Sequence, residues 1–188
     1  MRILHLDSSP LGNQSVTRHW SEATVEHLLE QHPDATVEHA DLAQDPLPHW
    51  SPQEAAGHRS QKALQQFLEA DVVVVGAPMY NFSVPSQLKA WIDHIAVVNQ
   101  TFRYNAKGEP EGLATEKEVW IVSGRGGKYP SAHPMDFQES YLAALFGFLG
   151  VTRLHWVRAE GLALGPDQRA AAFLEAQKML PAVSTIGA

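Results

Sequence analysis

The stretch Asp71-Val-Val-Val-Val-Gly-Ala-Pro-Met-Tyr-Asn-Phe82 decides how this chain is read. Four consecutive valines cannot alternate between a wet and a dry face. They predict a strand buried on both sides, at the centre of a parallel sheet. Gly76, Ala77 and Pro78 end it abruptly: small residues let backbone approach whatever lies above, and the proline donates no ladder hydrogen bond. Met79, Tyr80, Asn81 and Phe82 then stand at the carboxyl end of the strand, where open α/β sheets bind ligands. Two aromatic rings, a thioether and an amide fit a flat, partly polar ring system.

Toward the N-terminus, residues 2–7 (Arg-Ile-Leu-His-Leu-Asp) predict a first strand. Ser8-Ser9-Pro10-Leu11-Gly12-Asn13-Gln14-Ser15-Val16-Thr17 follows as a loop rich in hydroxyls and turn formers. From Val16 to about Gln31 the apolar residues, Trp20, Ala23 and Leu28 among them, recur at helical spacing. Strand, hydroxyl-rich loop and helix N-terminus together can hold an anion, because the helix end presents unpaired N–H groups and partial positive charge. Ser15 and Thr17 would serve equally as plain helix caps, and the loop alone leaves both roles open. No G-x-x-x-x-G-K-[ST] occurs, and no G-x-G-x-x-G follows the first strand, so neither common nucleotide fingerprint is present. A monophosphate held by hydroxyls fits better.

Residues 35–40 read as a polar edge strand and 41–53 as a proline-punctuated loop, in which Trp50 is assigned to surface packing rather than to covering a ligand. Residues 53–70 predict one helix with Leu64, Phe67 and Leu68 inward. After the central strand come a helix over 85–98, with Pro85 near its first turn, and an excursion over 99–115 with a turn near Asn105–Gly108. Phe102 and Tyr104 have no evident core to enter there, which points to a partner subunit or a site rim. Residues 118–123 give a fourth strand ending in Gly124-Arg125-Gly126-Gly127. A helix over 137–150, a strand over 152–157 and a closing helix over 166–183 complete the chain. Five strands alternating with five helices predict an α/β, flavodoxin-like domain over 1–188. Its five-stranded parallel sheet has the order 2-1-3-4-5 and helices on both faces. A phosphate loop after strand one and a ring loop after strand three meet at the topological switch of that order, which points to FMN.

Composition narrows the classes. At 188 residues the chain is long enough for one domain with a real core. No apolar run approaches the ~20 residues of a membrane span, and the N-terminus reads as a strand rather than a signal peptide. The absence of cysteine excludes disulfides, iron–sulfur clusters and thiol catalysis, and suits a cytoplasmic location. A formal charge of −7 argues against nucleic acid. The ten histidines are scattered without H-E-x-x-H or H-x-x-x-H spacing, so no metal site is expected. No G-x-S-x-G elbow supports a serine hydrolase. Tyr129 and His133, just past the glycine cluster, are assigned to the surface, with contact to substrate or nicotinamide left open.

At Ala77-Pro-Met-Tyr-Asn-Phe82, Gln87-Leu-Lys89, Thr101-Phe-Arg-Tyr104, Pro110-Glu-Gly-Leu113, Arg125-Gly-Gly127 and Phe146-Gly-Phe-Leu-Gly150, the sequence resembles the FMN-dependent NADH:azoreductases, also described as NADH:quinone oxidoreductases. The resemblance runs in order from residue 2 to about 180. It implies a homodimer with FMN at the subunit interface, NADH or NADPH as donor, a quinone or azo compound as acceptor, and a ping-pong mechanism. By the same motifs, Ser9 and Ser15-Val16-Thr17 would hold the FMN phosphate. Pro78 with Met79-Tyr80-Asn81-Phe82 would border the ring, and Gly124-Arg125-Gly126-Gly127 would lie along its pyrimidine edge. Flavin N5 would carry the hydride, so no side chain need be a catalytic acid; Tyr129 and Phe102 are the candidates for touching substrate. The family often reads Ser-Arg-Gly-Gly in the last loop, whereas here Gly124 precedes Arg125 and Ser123 stands one place earlier. The rival class is a flavodoxin-like carrier of single electrons docking through its negative charge; the apolar excursion and the resemblance favour the enzyme.

Overall fold

The computed structural model describes residues 1–130 and 133–180. Its strands, in chain order, are β1 (Arg2–Asp7), β2 (Thr36–Asp41), β3 (Val72–Pro78), β4 (Phe102–Tyr104), β5 (Pro110–Gly112), β6 (Glu118–Gly124) and β7 (Arg153–Ala159). Five of them form a parallel sheet in the order β2-β1-β3-β6-β7, while β4 and β5 pair as a separate antiparallel hairpin. The expected order 2-1-3-4-5 is thereby corrected to 2-1-3-6-7, because the excursion over 99–115 folds into two strands of its own.

All seven residues of β3 are buried, for the reason its valines suggest. Val72 and Val74 enter a core with Ile3, Trp20, Leu28 and Val122. Val73 and Val75 enter the opposite core with Leu4, Leu6, Phe67, Trp91 and Phe146. Each such side chain contributes about 1.5–3 kcal/mol relative to exposure. The first core is closed by α1 (Val16–Gln31) and α6 (Pro166–Met179); α3 (His58–Glu69), α4 (Ser86–Ile95) and α5 (Phe137–Phe148) close the second. At the sheet edge, β2 is mostly exposed, which its polar sequence permits.

Several expected helices differ in extent. The helix over 53–70 is two: a single turn α2 (Pro52–Ala55), started by Ser51 capping Glu54 N–H, and then α3. Gly57 separates them, its N–H donating to Glu54 O (2.9 Å), and side chains of α3 also reach carbonyls at the end of α2, Ser60 Oγ donating to Glu54 O (2.7 Å) and Gln61 Nε2 to Ala55 O (2.8 Å). The helix over 85–98 stops at Ile95, whose carbonyl accepts from Thr101 Oγ1 (2.7 Å). The closing helix ends at Met179, with Leu180 already extended, and residues 181–183 of its expected span lie outside the described residues. In the hairpin, Asn105 Oδ1 accepts from the N–H groups of Lys107 and Glu109, which builds the expected turn. No helix among the described residues is long and apolar enough to cross a membrane.

Candidate functional site

Three loops meet at the carboxyl ends of β1, β3 and β6. In the first, Ser15 caps α1, its Oγ accepting from Arg18 N–H (3.2 Å) and lying 3.0 Å from Thr17 Oγ1. Ser9, Ser15, Val16 and Thr17 are all buried. The backbone N–H groups of Val16 and Thr17 have no partner among the described residues. The two roles left open for Ser15 and Thr17 are therefore compatible: capping uses one N–H of the first turn and leaves others for an anion.

The second loop is a two-residue hairpin turn. Tyr80 and Ser83 exchange both backbone hydrogen bonds (3.0 and 3.1 Å), and Asn81 (φ 47°) and Phe82 (φ 70°) both take the left-handed conformation. Asparagine tolerates that region; phenylalanine adopts it at a cost of about 1–3 kcal/mol. Phe82 is held there by Phe137 N–H donating to its carbonyl (3.1 Å), and its ring stays 41% exposed. Strain on an exposed aromatic residue at a ligand-binding edge is a mark of function. A cavity of about 710 Å³ opens beside this turn, walled by Pro10 of the first loop, Tyr80, Asn81, Gln87 and Tyr141. Among the described residues Tyr80 Oη is buried without a partner. Burial, with a smaller push from the Asp93 charge, raises the Tyr141 phenol to about 12, so it stays protonated.

The third loop joins the others through backbone. Met79 N–H donates to Gly124 O (2.8 Å), and an added Cβ on Gly124 would come within 2.7 Å of Thr17 Cγ2. Glycine at 124 is thus what lets β6 reach the first loop. Ser123, on the other face of the strand, is fully buried, and its hydroxyl has no partner among the described residues. The N–H groups of Gly126 and Gly127 have no partner among the described residues, while their carbonyls accept from Ala163 (3.0 Å) and Gly161 (2.8 Å). Arg125 departs from its expected place along the ring. Its side chain is 1% exposed and turned inward, ion-paired with Asp136 (2.9 Å), Glu139 (2.6 Å) and Glu160 (3.2 Å). It fixes the loop rather than presenting a charge to a ligand. Tyr129 does stand beside the loop, its ring 3.3 Å from the direction a Gly127 Cβ would take and edge-on to His133. Phe102 does not join the site within one chain. It packs on Phe148 at the far end of α5 (centroids 4.6 Å apart), whereas the near end of α5 holds Phe82. Trp50 is 52% exposed.

Sequence reasoning missed one cluster. His5 and His39 lie opposite each other on β1 and β2, with ring centroids 4.7 Å apart, and both approach Asp7. Asp7 Oδ2 is 2.9 Å from His39 Nε2 and 3.0 Å from Arg18 Nη1; Oδ1 accepts from Ser21 Oγ (2.9 Å). Arg18 Nη2 also reaches Asp41 (2.7 Å). The histidines are thus less scattered than expected, and His5, Asp7 and His39 come close enough to suggest a cation site. Arg18 and Ser21 already occupy the carboxylate, so the group is an internal hydrogen-bonded network. Burial pushes the Asp7 carboxyl up, but His5, His39 and Ser21 outweigh it and hold the group at about 2. Gly76, expected to open the strand end to a ligand, instead makes room for this carboxylate: a Cβ there would lie 2.9 Å from Asp7 Oδ1. The sequence signal was available in the i, i+2 pairs His5/Asp7 and His39/Asp41, but only strand register shows that they face each other.

A parallel sheet wound on both sides, with three ligand loops at one edge, defines a flavodoxin-like protein. The comparisons agree: the chain belongs to the flavodoxin-like fold family, whose model matches residues 1–182. It is 52% identical over 185 residues to FMN-dependent NADH:quinone oxidoreductase 1 of Xanthomonas euvesicatoria, covering 94% of this chain and 93% of that one. It is 47% identical over 197 residues to the FMN-dependent NADH:quinone oxidoreductase of Rhizobium meliloti, covering 96% and 95%. Among solved structures it is similar to an azoreductase from Bacillus anthracis, with a TM-score of 0.85 at 27% identity over 96% of this chain and 97% of that one. An FMN-dependent NADH-azoreductase of the same organism, in complex with FMN, gives 0.82 at 25% identity over 96% and 98%.

Proposed function

We propose that this chain is an FMN-dependent oxidoreductase that uses NADH or NADPH to reduce quinones and azo compounds, as a cytoplasmic homodimer of one flavodoxin-like domain per chain. The observation that carries the reading is the meeting of an N–H and hydroxyl cradle at the start of α1 with the strained turn at Asn81–Phe82, on one edge of the sheet. The names of the relatives at about half identity supply the substrates.

The donor set fits FMN. Ser9, Ser15 and Thr17 with the N–H groups of Val16 and Thr17 suit a phosphate dianion. Pro78, Met79, Tyr80, Asn81 and Phe82 would border the ring, and the N–H groups of Gly126 and Gly127 would serve as preorganised donors to its electron-rich edge. When bound, FMN supplies the redox chemistry, accepting hydride from the nicotinamide and passing it to the acceptor in two separate half-reactions. The chain contributes orientation: Arg125 anchors the glycine loop, and Phe137 N–H holds Phe82 in place. Tyr129 stands where an acceptor or nicotinamide can meet it. Around the hairpin, Val98, Tyr104, Leu113 and Phe148 are exposed apolar surface suited to a second copy, across which Phe102 would reach a site.

The test is the absorbance spectrum of the purified protein, followed anaerobically on adding NADH. Flavin absorbance that bleaches with NADH and returns with a quinone or azo dye supports the enzyme. Bound flavin that NADH leaves oxidised points to the electron carrier, and protein without flavin overturns both.

A further inference from the structure

We infer that Asp7 and Arg18 form a clasp across the base of the 8–17 loop and are positioning residues for the FMN phosphate, an inference that rests on the FMN reading above. The loop of hydroxyls begins immediately after Asp7 and ends immediately before Arg18. These two flanking residues are ion-paired, Nη1 to Oδ2 at 3.0 Å, with side chains only 16% and 2% exposed. A link at that point ties the ends of a ten-residue segment and removes loop freedom that an incoming ligand would otherwise have to quench.

The clasp is anchored on three strands. Arg18 Nη2 reaches Asp41 at the end of β2 (2.7 Å), and His39 of the same strand lies 2.9 Å from Asp7. Gly76 of β3 gives the carboxylate its space, and Ser8 Oγ, the first hydroxyl of the loop, donates to Gly76 O (2.6 Å). On the loop side, Arg18 N–H donates to Ser15 Oγ, so the residue that holds the clasp also sets the cap of the cradle.

The sign of the charge separates this role from direct phosphate binding. Asp7, Asp41 and Arg18 sum to one net negative charge with the histidines neutral, so as point charges they repel a phosphate dianion. The guanidinium is already committed to two carboxylates. A favourable contribution to FMN binding must therefore come through the shape of the loop. Removing the charge of Asp7 gives opposite outcomes under the two views.

The experiment titrates FMN and riboflavin, which lacks the phosphate, into the full-length flavin-free chain and its variants by flavin fluorescence. We expect Asp7→Asn to raise the Kd for FMN roughly 10-fold, the scale of one lost charge-assisted hydrogen bond, and to leave riboflavin within about 2-fold. Arg18→Lys keeps the charge but cannot span both carboxylates, and should show the same phosphate-selective loss; it decides the matter where Asp7→Asn does not fold. The double variant Asp7→Asn with Arg18→Lys should be no weaker than the weaker single one, since both remove one clasp. An unchanged or lower Kd for FMN, or equal losses of FMN and riboflavin, overturns the inference alone. A wild-type chain that binds no FMN overturns it together with the function on which it rests.

Discussion

Phe82 and Gly124 both depart from unconstrained local chemistry at the site. Phe82 carries a left-handed backbone (φ 70°) that glycine takes freely. Phe82→Gly should relieve about 1 kcal/mol of strain, offset in part by the greater freedom of glycine in the unfolded chain. Thermal unfolding of the flavin-free protein should then change little, while FMN affinity falls because a 41% exposed ring is lost. A marked drop in melting temperature instead would mean that Phe82 is a packing residue. At Gly124 the neighbour is specific: Thr17 Cγ2 lies 2.7 Å from where a Cβ would be. Restoring the family's serine, Gly124→Ser, should cost about 1–3 kcal/mol by overpacking and lower FMN occupancy. Adding Thr17→Ser removes that methyl and should recover both, measured as melting temperature and flavin-to-protein absorbance ratio. Equal damage in the single and double variants would refute a steric pairing between these two positions.

At the scale of elements, the hairpin β4–β5 depends on one backbone approach. Gly112 meets Gly150 so closely that a Cβ would lie 2.1 Å from Gly150 N. Leu113 N–H donates to Thr101 O within the hairpin, and Ala114 N–H donates to Leu149 O, which locks the hairpin to the end of α5. Gly112→Ala cannot keep that geometry. We expect it to lift the hairpin, lower stability by about 1–3 kcal/mol or more, and, if the hairpin face joins two copies, reduce the dimer fraction in sedimentation. A variant as stable and as dimeric as wild type would show that the approach is dispensable. The hairpin was illegible in the sequence because its three-residue strands are too short to show alternation. The break at Gly57 was illegible for another reason, since the side chains that make it tolerable, Ser60 and Gln61, act across the gap. By contrast β3 was readable, because four valines state their environment locally, whereas nothing in Asn81-Phe82 announces the left-handed turn they make.

At the scale of the whole molecule, the sequence revealed where the ligand loops lie but not what holds them together. The loops are consecutive residues; their supports are pairs distant in the chain, such as Asp7 with His39 and Arg125 with Glu160. Those supports carry a measurable acid signature. Asp7 is held at about 2 in the fold against its ordinary 3.8, so the folded chain binds a proton there less readily than the unfolded chain. The resulting stability is fully present above pH ~4 and is lost as pH falls from there toward about 2. Its size is on the order of 2 kcal/mol. Denaturant unfolding of wild type and Asp7→Asn at pH 6 and at pH 3 should show a gap between them that narrows at the lower pH, because protonation of Asp7 removes what the asparagine lacks. A gap that stays constant would assign the cost of the variant to packing rather than to the charge, and the network around β1 and β2 would then be a steric fit with incidental ion pairs.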